Sequence, residues 1–146
     1  MIDSLKIVIV QPDLYWENKV ANFANIEEMI SFSNKEVDLI VLPEMFSTGF
    51  SMNAESLAEP VGLHTTKWMK QIAQSKQAVV VGSFIAKHKN QFYNRFLAIG
   101  TNGTVIATYD KQYLFPLSFE HEVFEPGHTN VVFDVKGYKI KPQICY

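Results

Sequence analysis

The sequence predicts an α/β fold of the α+β-like kind, in which one mixed sheet carries helices on one of its faces. Several short, continuous apolar runs bounded by turn residues are typical of buried strands. Between the first two runs lies a segment with apolar residues at helical spacing, which indicates a strand–helix–strand unit. An Asn-Gly pair between two later runs indicates an antiparallel hairpin. Parallel pairing at the start and antiparallel pairing afterwards make the sheet mixed.

The first half of the chain is interpreted as a right-handed βαβ unit followed by a loop and a second helix. Residues 5–10 and 37–42 are the two strands, and residues 17–34 form the amphipathic helix that joins them. Residues 46–60 are rich in Ser, Thr, Gly and Asn and are predicted as a loop. A helix over residues 63–75 follows, with its apolar side facing inward.

The second half is predicted to consist of strands and one long loop. A third buried strand over residues 78–85 precedes a hairpin of residues 92–100 and 104–109 about Asn102-Gly103. Residues 112–130 have no clear period and are predicted as a long loop, of a length that is usually functional or mobile. The last two strands, residues 131–135 and 138–146, form another hairpin about Lys136-Gly137.

The order of elements also predicts that this chain is part of something larger. It stops on a strand, where a turn and a covering helix are expected, and this leaves the last strand and one sheet face without cover. Residues 1–146 are therefore interpreted as the N-terminal part of a single larger domain, truncated after that strand.

Composition narrows the classes of function. The chain has 146 residues and 47% apolar residues, which suffices for the core of one domain. A net charge of −2 argues against nucleic acid as a partner. The apolar runs are too short to span a membrane, and the N-terminus lacks the pattern of a secretory signal. The single cysteine excludes an internal disulfide, which fits a cytoplasmic location.

Three reactive residues follow separate predicted strands or lie at their ends. Glu44 follows the run of residues 38–43, Lys111 follows residues 105–110, and Cys145 lies near the end of the last segment. The carboxyl ends of such strands can meet at one edge of a sheet. A carboxylate, an amine and a thiol at that edge would supply a base, an oxyanion stabiliser and a nucleophile.

Each of the three residues also has an ordinary structural explanation. Cys145 shares the more polar parity of its strand with two lysines and Gln143, but a free cysteine is usually a small buried hydrophobe. Glu44 fits a partly desolvated general base and equally an ordinary loop carboxylate. Lys111 fits a solvated lysine paired with Asp110. Spacing alone leaves these alternatives open.

Other candidates give weaker signals. Glu120, in the long loop, fits a carboxylate that holds Lys111 charged and in position, and it also fits a loop acid with no assigned task. His121-Glu122 resembles the start of a zinc-binding helix, but no histidine stands four residues after His121, so no metal site is expected. Ser83 lacks the second glycine of a nucleophile elbow. There is no phosphate-binding or dinucleotide fingerprint, and no cofactor is predicted.

Three sequence segments, taken in their order along the chain, give more specific evidence than the spacing of single residues. Residues 42–50 (LPEMFSTGF), 109–115 (YDKQYLF) and 144–146 (ICY) resemble the motifs of the nitrilase superfamily of carbon–nitrogen hydrolases. Within that superfamily the chain is most similar to the omega-amidase branch, which deamidates acids of the 2-oxoglutaramate type. The similarity covers the full length of the chain.

The resemblance implies a set of site residues and a fold. The family's catalytic glutamate, lysine and cysteine fall on Glu44, Lys111 and Cys145, and its second glutamate falls on Glu120. The backbone N–H of Tyr146 would join Lys111 in holding the oxyanion. The family fold is an α-β-β-α sandwich about twice as long as this chain, commonly a homodimer, and it needs no metal or cofactor.

The function implied is an amidase that hydrolyses the terminal amide of a small carboxylic or 2-oxo acid through a cysteine thioester and releases ammonia. One alternative is another branch of the superfamily, either an N-carbamoyl hydrolase or a nitrilase. The other is a catalytically inactive fragment that acts as an assembly module.

Overall fold

The computed structural model describes residues 4–31 and 36–145 of the chain. Its main feature is a five-stranded mixed sheet with the strand order β1-β2-β3-β4-β5. The strands are β1 Ile7–Ile9, β2 Leu39–Val41, β3 Val79–His88, β4 Gln91–Ile99 and β5 Val105–Asp110. β1, β2 and β3 pair in parallel, and β3, β4 and β5 pair antiparallel. The mixed sheet predicted from the sequence is therefore confirmed.

Helices make both parallel connections. Helix α1, Lys19–Ser31, joins β1 to β2. After β2 come the one-turn helix α2, Ala54–Leu57, and helix α3, His64–Lys76, which leads into β3. The predicted βαβ unit is present, and β2–α3–β3 repeats the same parallel connection. Helix α2 lies inside the segment that was predicted as loop.

One face of the sheet packs against α1 and α3. Phe23 of α1 stacks on Trp68 of α3 with ring centroids 4.8 Å apart, and Phe46 lies 5.5 Å from the same indole ring. The buried core residues that the two helices contribute here are Ile26, Ile30, Trp68, Met69, Ile72 and Ala73. Both helices therefore lie on one face, as the sequence predicts.

A small hairpin lies against the other face. It consists of β6, Phe133–Val135, and β7, Tyr138–Ile140, which form a separate two-stranded antiparallel sheet. Phe133 packs against Phe96 of β4 at 6.1 Å between ring centroids, and Ile144 joins the same cluster. The expectation that this face is bare was wrong over the centre of the sheet. At the β1 edge, Ile7 and Ile9 remain 50% and 69% exposed.

Two tight turns build the antiparallel part. The turn about Asn102-Gly103 is present, with Gly103 at φ +81°. A second turn, between β3 and β4, consists of Lys89 and Asn90, both at positive φ (48° and 64°), and was not predicted. Two consecutive residues at positive φ match the right-handed twist of a hairpin, which explains the close pairing of these long strands.

The last third of the chain departs from the prediction in two places. The predicted loop 112–130 contains a 3₁₀ turn, Pro116–Ser118, and a one-turn helix α4, Glu120–Val123. The predicted strand 138–146 ends at Ile140, and residues 141–145 have no regular structure. Proline at position 142 has no N–H to give to a ladder. Tyr146 lies outside the described residues.

None of the helices in the described parts of the chain is long and apolar enough to cross a membrane.

Candidate active site

Glu44 lies in a turn that begins just after β2. Leu42 donates its N–H to the Val81 carbonyl at 2.8 Å and so extends the contact with β3. Met45, at φ +47°, donates its N–H to the hydroxyl oxygen of Ser83 at 3.0 Å. Two residues of β3 therefore fasten the turn on both sides of Glu44 and fix the origin of its side chain.

Lys111 follows the last residue of β5, and its side chain is fully buried. Its backbone N–H donates to the Asn94 carbonyl at 3.0 Å. The ammonium Nζ donates to Glu44 Oε1 at 2.8 Å and to Glu120 Oε2 at 2.9 Å, and it lies 5.1 Å from the centre of the Phe50 ring. The ammonium is thus held between two carboxylates and an aromatic face.

The two carboxylates keep Lys111 charged. Burial lowers the pKa of the ammonium, but the hydrogen bonds and charges of Glu44 and Glu120 outweigh burial, so the net pKa is raised above its ordinary value. The alternative of a solvated Lys111 paired with Asp110 was wrong. Asp110 instead forms a bidentate ion pair with Arg95 of β4, in which Nε donates to Oδ1 at 2.7 Å and Nη2 donates to Oδ2 at 2.8 Å.

Glu120 is the first residue of α4 and is fully buried. Its Oε2 accepts the N–H of Phe115 at 2.6 Å besides the Lys111 ammonium, and its Oε1 lies 3.5 Å from the amide nitrogen Nδ2 of Asn94. Both carboxylate oxygens therefore face donors. This geometry suits Glu120 to hold the Lys111 ammonium and the Phe115 N–H in place.

Glu44 has a different environment. Its side chain is 28% exposed, and its Oε1 accepts from both Lys111 Nζ and Asn94 Nδ2. Its Oε2 accepts no hydrogen bond from the residues that the structure describes. Of the two carboxylates, Glu44 is therefore the one with an oxygen available to take a proton.

A cavity of about 170 Å³ connects Glu44 with Cys145, because both residues line it. Ser83 and Phe96 of the sheet also line it, and so does Ile144. Cys145 is exposed and adopts φ +60°. The predicted parity holds even though the strand has ended, since Ile144 is buried and Cys145 faces out. The cysteine is thus not the buried hydrophobe of the alternative.

The loop after Lys111 is fastened back onto the sheet. Gly127 donates its N–H to the Lys111 carbonyl at 2.9 Å, and Glu125 donates to the Phe92 carbonyl at 2.8 Å. A Cβ on Gly127 would lie 2.1 Å from the Asp110 carbonyl oxygen, so only glycine fits at this approach. The contact holds the backbone of Lys111 in place from the loop side.

The structure brings Glu44, Lys111 and Glu120 into direct contact and places Cys145 on the cavity that Glu44 lines. The predicted oxyanion donor, Tyr146, lies outside the described residues. The described residues contain no group of three or more His, Cys, Asp and Glu side chains arranged to hold a metal.

Sequence reasoning missed the contribution of Asn94 and gave Ser83 no role. Asn94 is fully buried in β4 and donates to both carboxylates. Asparagine is depleted in strands, and one inside β4 was the available signal. The role of Ser83, which is to accept the Met45 N–H in the turn that carries Glu44, is visible only in the folded structure.

The chain belongs to the carbon–nitrogen hydrolase family, since residues 6–146 match the model of that family. Its fold is that of the nitrilase superfamily. The resemblance stated from the three motifs is confirmed.

Individual relatives agree with this assignment. The chain is 34% identical over 145 residues to omega-amidase YafV of Yersinia enterocolitica, covering 99% of this chain and 56% of that protein. It is 30% identical over 142 residues to 2-oxoglutaramate amidase of Bacillus subtilis, covering 96% and 55%. A CN-hydrolase superfamily structure from Xanthomonas campestris, with an arsenic adduct in its active site, matches at a TM-score of 0.92 and 30% identity. That match covers 97% of this chain and 53% of the other. The chain thus spans about half the length of the relatives that it matches.

Proposed function

We propose that the protein containing this chain is an omega-amidase-like hydrolase of the terminal amide of a small carboxylic or 2-oxo acid. The observation that carries the proposal is the fully buried Lys111 ammonium, held between Glu44 and Glu120, with Glu44 and Cys145 on one cavity. The relatives named omega-amidase and 2-oxoglutaramate amidase support the substrate class. A cavity of about 170 Å³ suits a small substrate.

In the proposed first half-reaction, Glu44 accepts the proton of the Cys145 thiol. The thiolate attacks the amide carbon, and the carbonyl oxygen becomes an oxyanion. Lys111 stabilises this oxyanion as a fixed positive charge, a term worth about 3–4 kcal/mol for one well-placed donor. The backbone N–H of Tyr146 is proposed as the second donor. When the C–N bond breaks, Glu44 returns the proton to the leaving nitrogen, which departs as ammonia.

In the second half-reaction a water molecule replaces ammonia. Glu44 takes a proton from this water, and the hydroxide attacks the thioester carbon. The same donors hold the second oxyanion. The C–S bond then breaks, the sulfur recovers its proton from Glu44, and the carboxylic acid leaves. Glu120 takes no proton in this scheme, since its oxygens face donors and it serves to keep Lys111 charged and in place.

Ammonia release from 2-oxoglutaramate by the full-length protein tests the substrate class. An N-carbamoyl amino acid and an aliphatic nitrile are assayed in parallel. We expect the amide to be the preferred substrate. Faster turnover of the carbamoyl compound or the nitrile would assign the protein to another branch. No turnover of any of the three would favour the inactive module.

A further inference from the structure

Asn94 contacts every member of the charged cluster formed by Glu44, Lys111 and Glu120. Its backbone carbonyl accepts the Lys111 N–H at 3.0 Å. Its side-chain Nδ2 donates to Glu44 Oε1 at 2.7 Å and lies within 3.5 Å of Glu120 Oε1. Asn94 is paired with Ile85 of the neighbouring strand β3, so the long β3–β4 ladder fixes its backbone.

The orientation of the Asn94 amide follows from its neighbours. Two carboxylate oxygens lie on one side of the amide, so the NH₂ group must face them and Oδ1 must face away. That Oδ1 is buried and has no hydrogen-bond partner among the described residues. An apolar residue would avoid this cost, so packing alone does not account for an asparagine here.

From these contacts we infer that Asn94 is a positioning residue that determines which oxygen of Glu44 accepts the thiol proton. The inference rests on the proposed function, in which Glu44 is the base. Oε1 of Glu44 already accepts from Lys111 and Asn94. A proton on Oε1 would point at two donors that have no lone pair to receive it.

The proton therefore goes to Oε2. In this step the S–H bond of Cys145 breaks, its electron pair stays on sulfur, and an O–H bond forms on Oε2. Lys111 keeps its three protons. Without the Asn94 donor, Oε1 is held by Lys111 alone, and rotation of the Glu44 carboxylate about its last bond is less restricted. The thiol then faces a base that is less often aligned.

Alkylation of Cys145 by iodoacetamide, measured against pH on the full-length protein, tests this inference. Peptide mapping by mass spectrometry follows the Cys145 peptide, so the readout does not depend on any amide substrate. The titratable groups at this place are Cys145 and Glu44 on the cavity, with Lys111 and Glu120 behind Glu44. In Asn94→Leu we expect the alkylation rate at pH 7 to fall by about 10-fold or more.

The pH dependence separates positioning from damage to the fold. Near pH 10 a thiol ionises without a base, so Asn94→Leu should there regain the wild-type rate. Asn94→Ser, whose hydroxyl is too short to replace the amide, should give the same profile if the leucine variant does not fold. Thr65→Val is the matched control. It removes another fully buried oxygen without a described partner, in α3, and should leave the profile unchanged.

A wild-type pH profile in folded Asn94→Leu or Asn94→Ser would overturn the inference, and so would an equal loss of rate at every pH. Failure of the proposed function is seen separately, as an absence of ammonia release from amides by the wild-type protein.

Discussion

The two parts of the candidate site are built in opposite ways. The charged cluster comes from the ends of β2 and β5 and the start of α4, and hydrogen bonds fix each of its side chains. Cys145 comes from the irregular segment 141–145, is exposed, and its thiol has no hydrogen-bond partner among the described residues. The buried neighbour Ile144 is what ties it to the sheet face.

This difference indicates a division of tasks. Groups that stabilise charge must be in place before the reaction, because reorganising them during the reaction costs energy. The β3–β4 ladder holds Asn94, and hydrogen bonds to these two strands hold the turn of Glu44 and the backbone of Lys111. The proposed nucleophile must reach the substrate and change its bonding, and Cys145 is exposed and adopts a positive φ. The following changes test the division, from the largest expected effect to the smallest.

Cys145→Ala should abolish turnover, with a loss of about 10⁴-fold or more, because no thioester can form. The free energy of unfolding should change by less than about 0.5 kcal/mol, since the side chain is exposed. Steady-state ammonia release and urea unfolding measure the two effects. Cys145→Ser, which keeps the shape, should be nearly as inactive. More than a tenth of wild-type activity in either variant would contradict a thioester mechanism.

Lys111→Met should damage stability as well as activity. It removes the ammonium and leaves the carboxylates of Glu44 and Glu120 facing each other, which costs about 3–5 kcal/mol for a buried pair that has lost its partner. Urea unfolding gives this difference. Lys139→Met is the matched control, because the Lys139 side chain is 75% exposed and should contribute less than about 0.5 kcal/mol. Equal effects of the two substitutions would disprove a buried, paired Lys111.

Gly127→Ala tests whether the loop hydrogen bond from Gly127 to the Lys111 carbonyl holds the Lys111 backbone in place. The added methyl group would lie 2.1 Å from the Asp110 carbonyl, so the backbone must move, at a cost of about 3 kcal/mol. We expect a lower thermal midpoint and a lower kcat. The control is Gly100→Ala, where the nearest atoms are side-chain atoms at 3.2 Å that can shift. A Gly127→Ala protein as stable as Gly100→Ala would rule out the close approach.

Ser83→Ala should have a smaller effect. It leaves the buried N–H of Met45 without its acceptor, at a cost of about 1–2 kcal/mol, and loosens the turn that carries Glu44. Urea unfolding and kcat are the measurements. In the control Ser31→Ala, an exposed serine at the end of α1 is lost, and the change should stay within about 0.5 kcal/mol. An unchanged kcat in Ser83→Ala would show that the hydrogen bond from Met45 to Ser83 is not needed to position Glu44.

The smallest effect concerns stability at alkaline pH. Because the pKa of Lys111 is raised by folding, the folded chain holds this proton more tightly than the unfolded chain. That stabilisation is complete below the ordinary pKa of 10.5 and is lost as the pH rises through the higher folded pKa. The wild-type protein should therefore lose more stability than Lys111→Met between pH 9 and 12. Parallel losses in urea titrations would contradict the raised pKa.

The sequence was sufficient to predict a mixed sheet and to predict that the carboxyl ends of two of its strands, β2 and β5, meet at one edge. Continuous apolar runs marked the strands that precede Glu44 and Lys111, and β2 and β5 run in the same direction, so their carboxyl ends lie at one edge. The side of Cys145 was also predictable. Its alternation with Ile144 depends on burial against the sheet, and burial persists where the β6–β7 ladder has ended.

The remaining features depend on tertiary contacts that a single sequence does not reveal. The strand that was predicted to reach Cys145 ends at Ile140, and Pro142 offers no donor to continue it, although the alternation of buried and exposed residues goes on. Helix α4 has only four residues, too few for a periodic signal, and it forms where Glu120 meets Lys111. The role of Asn94 in β4 depends on the two carboxylates beside it, and both come from distant parts of the chain.

The ion pair of Arg95 with Asp110 has a consequence for the charge count at the site. Arg95 neutralises Asp110, so Lys111 forms its ion pairs with Glu44 and Glu120. One ammonium and two carboxylates give this trio a net charge of −1. When the thiol proton arrives at Glu44, the trio becomes neutral and the negative charge moves to sulfur. The proposed activation of Cys145 thus relocates one charge over a short distance and creates none, so it requires no counterion from solvent.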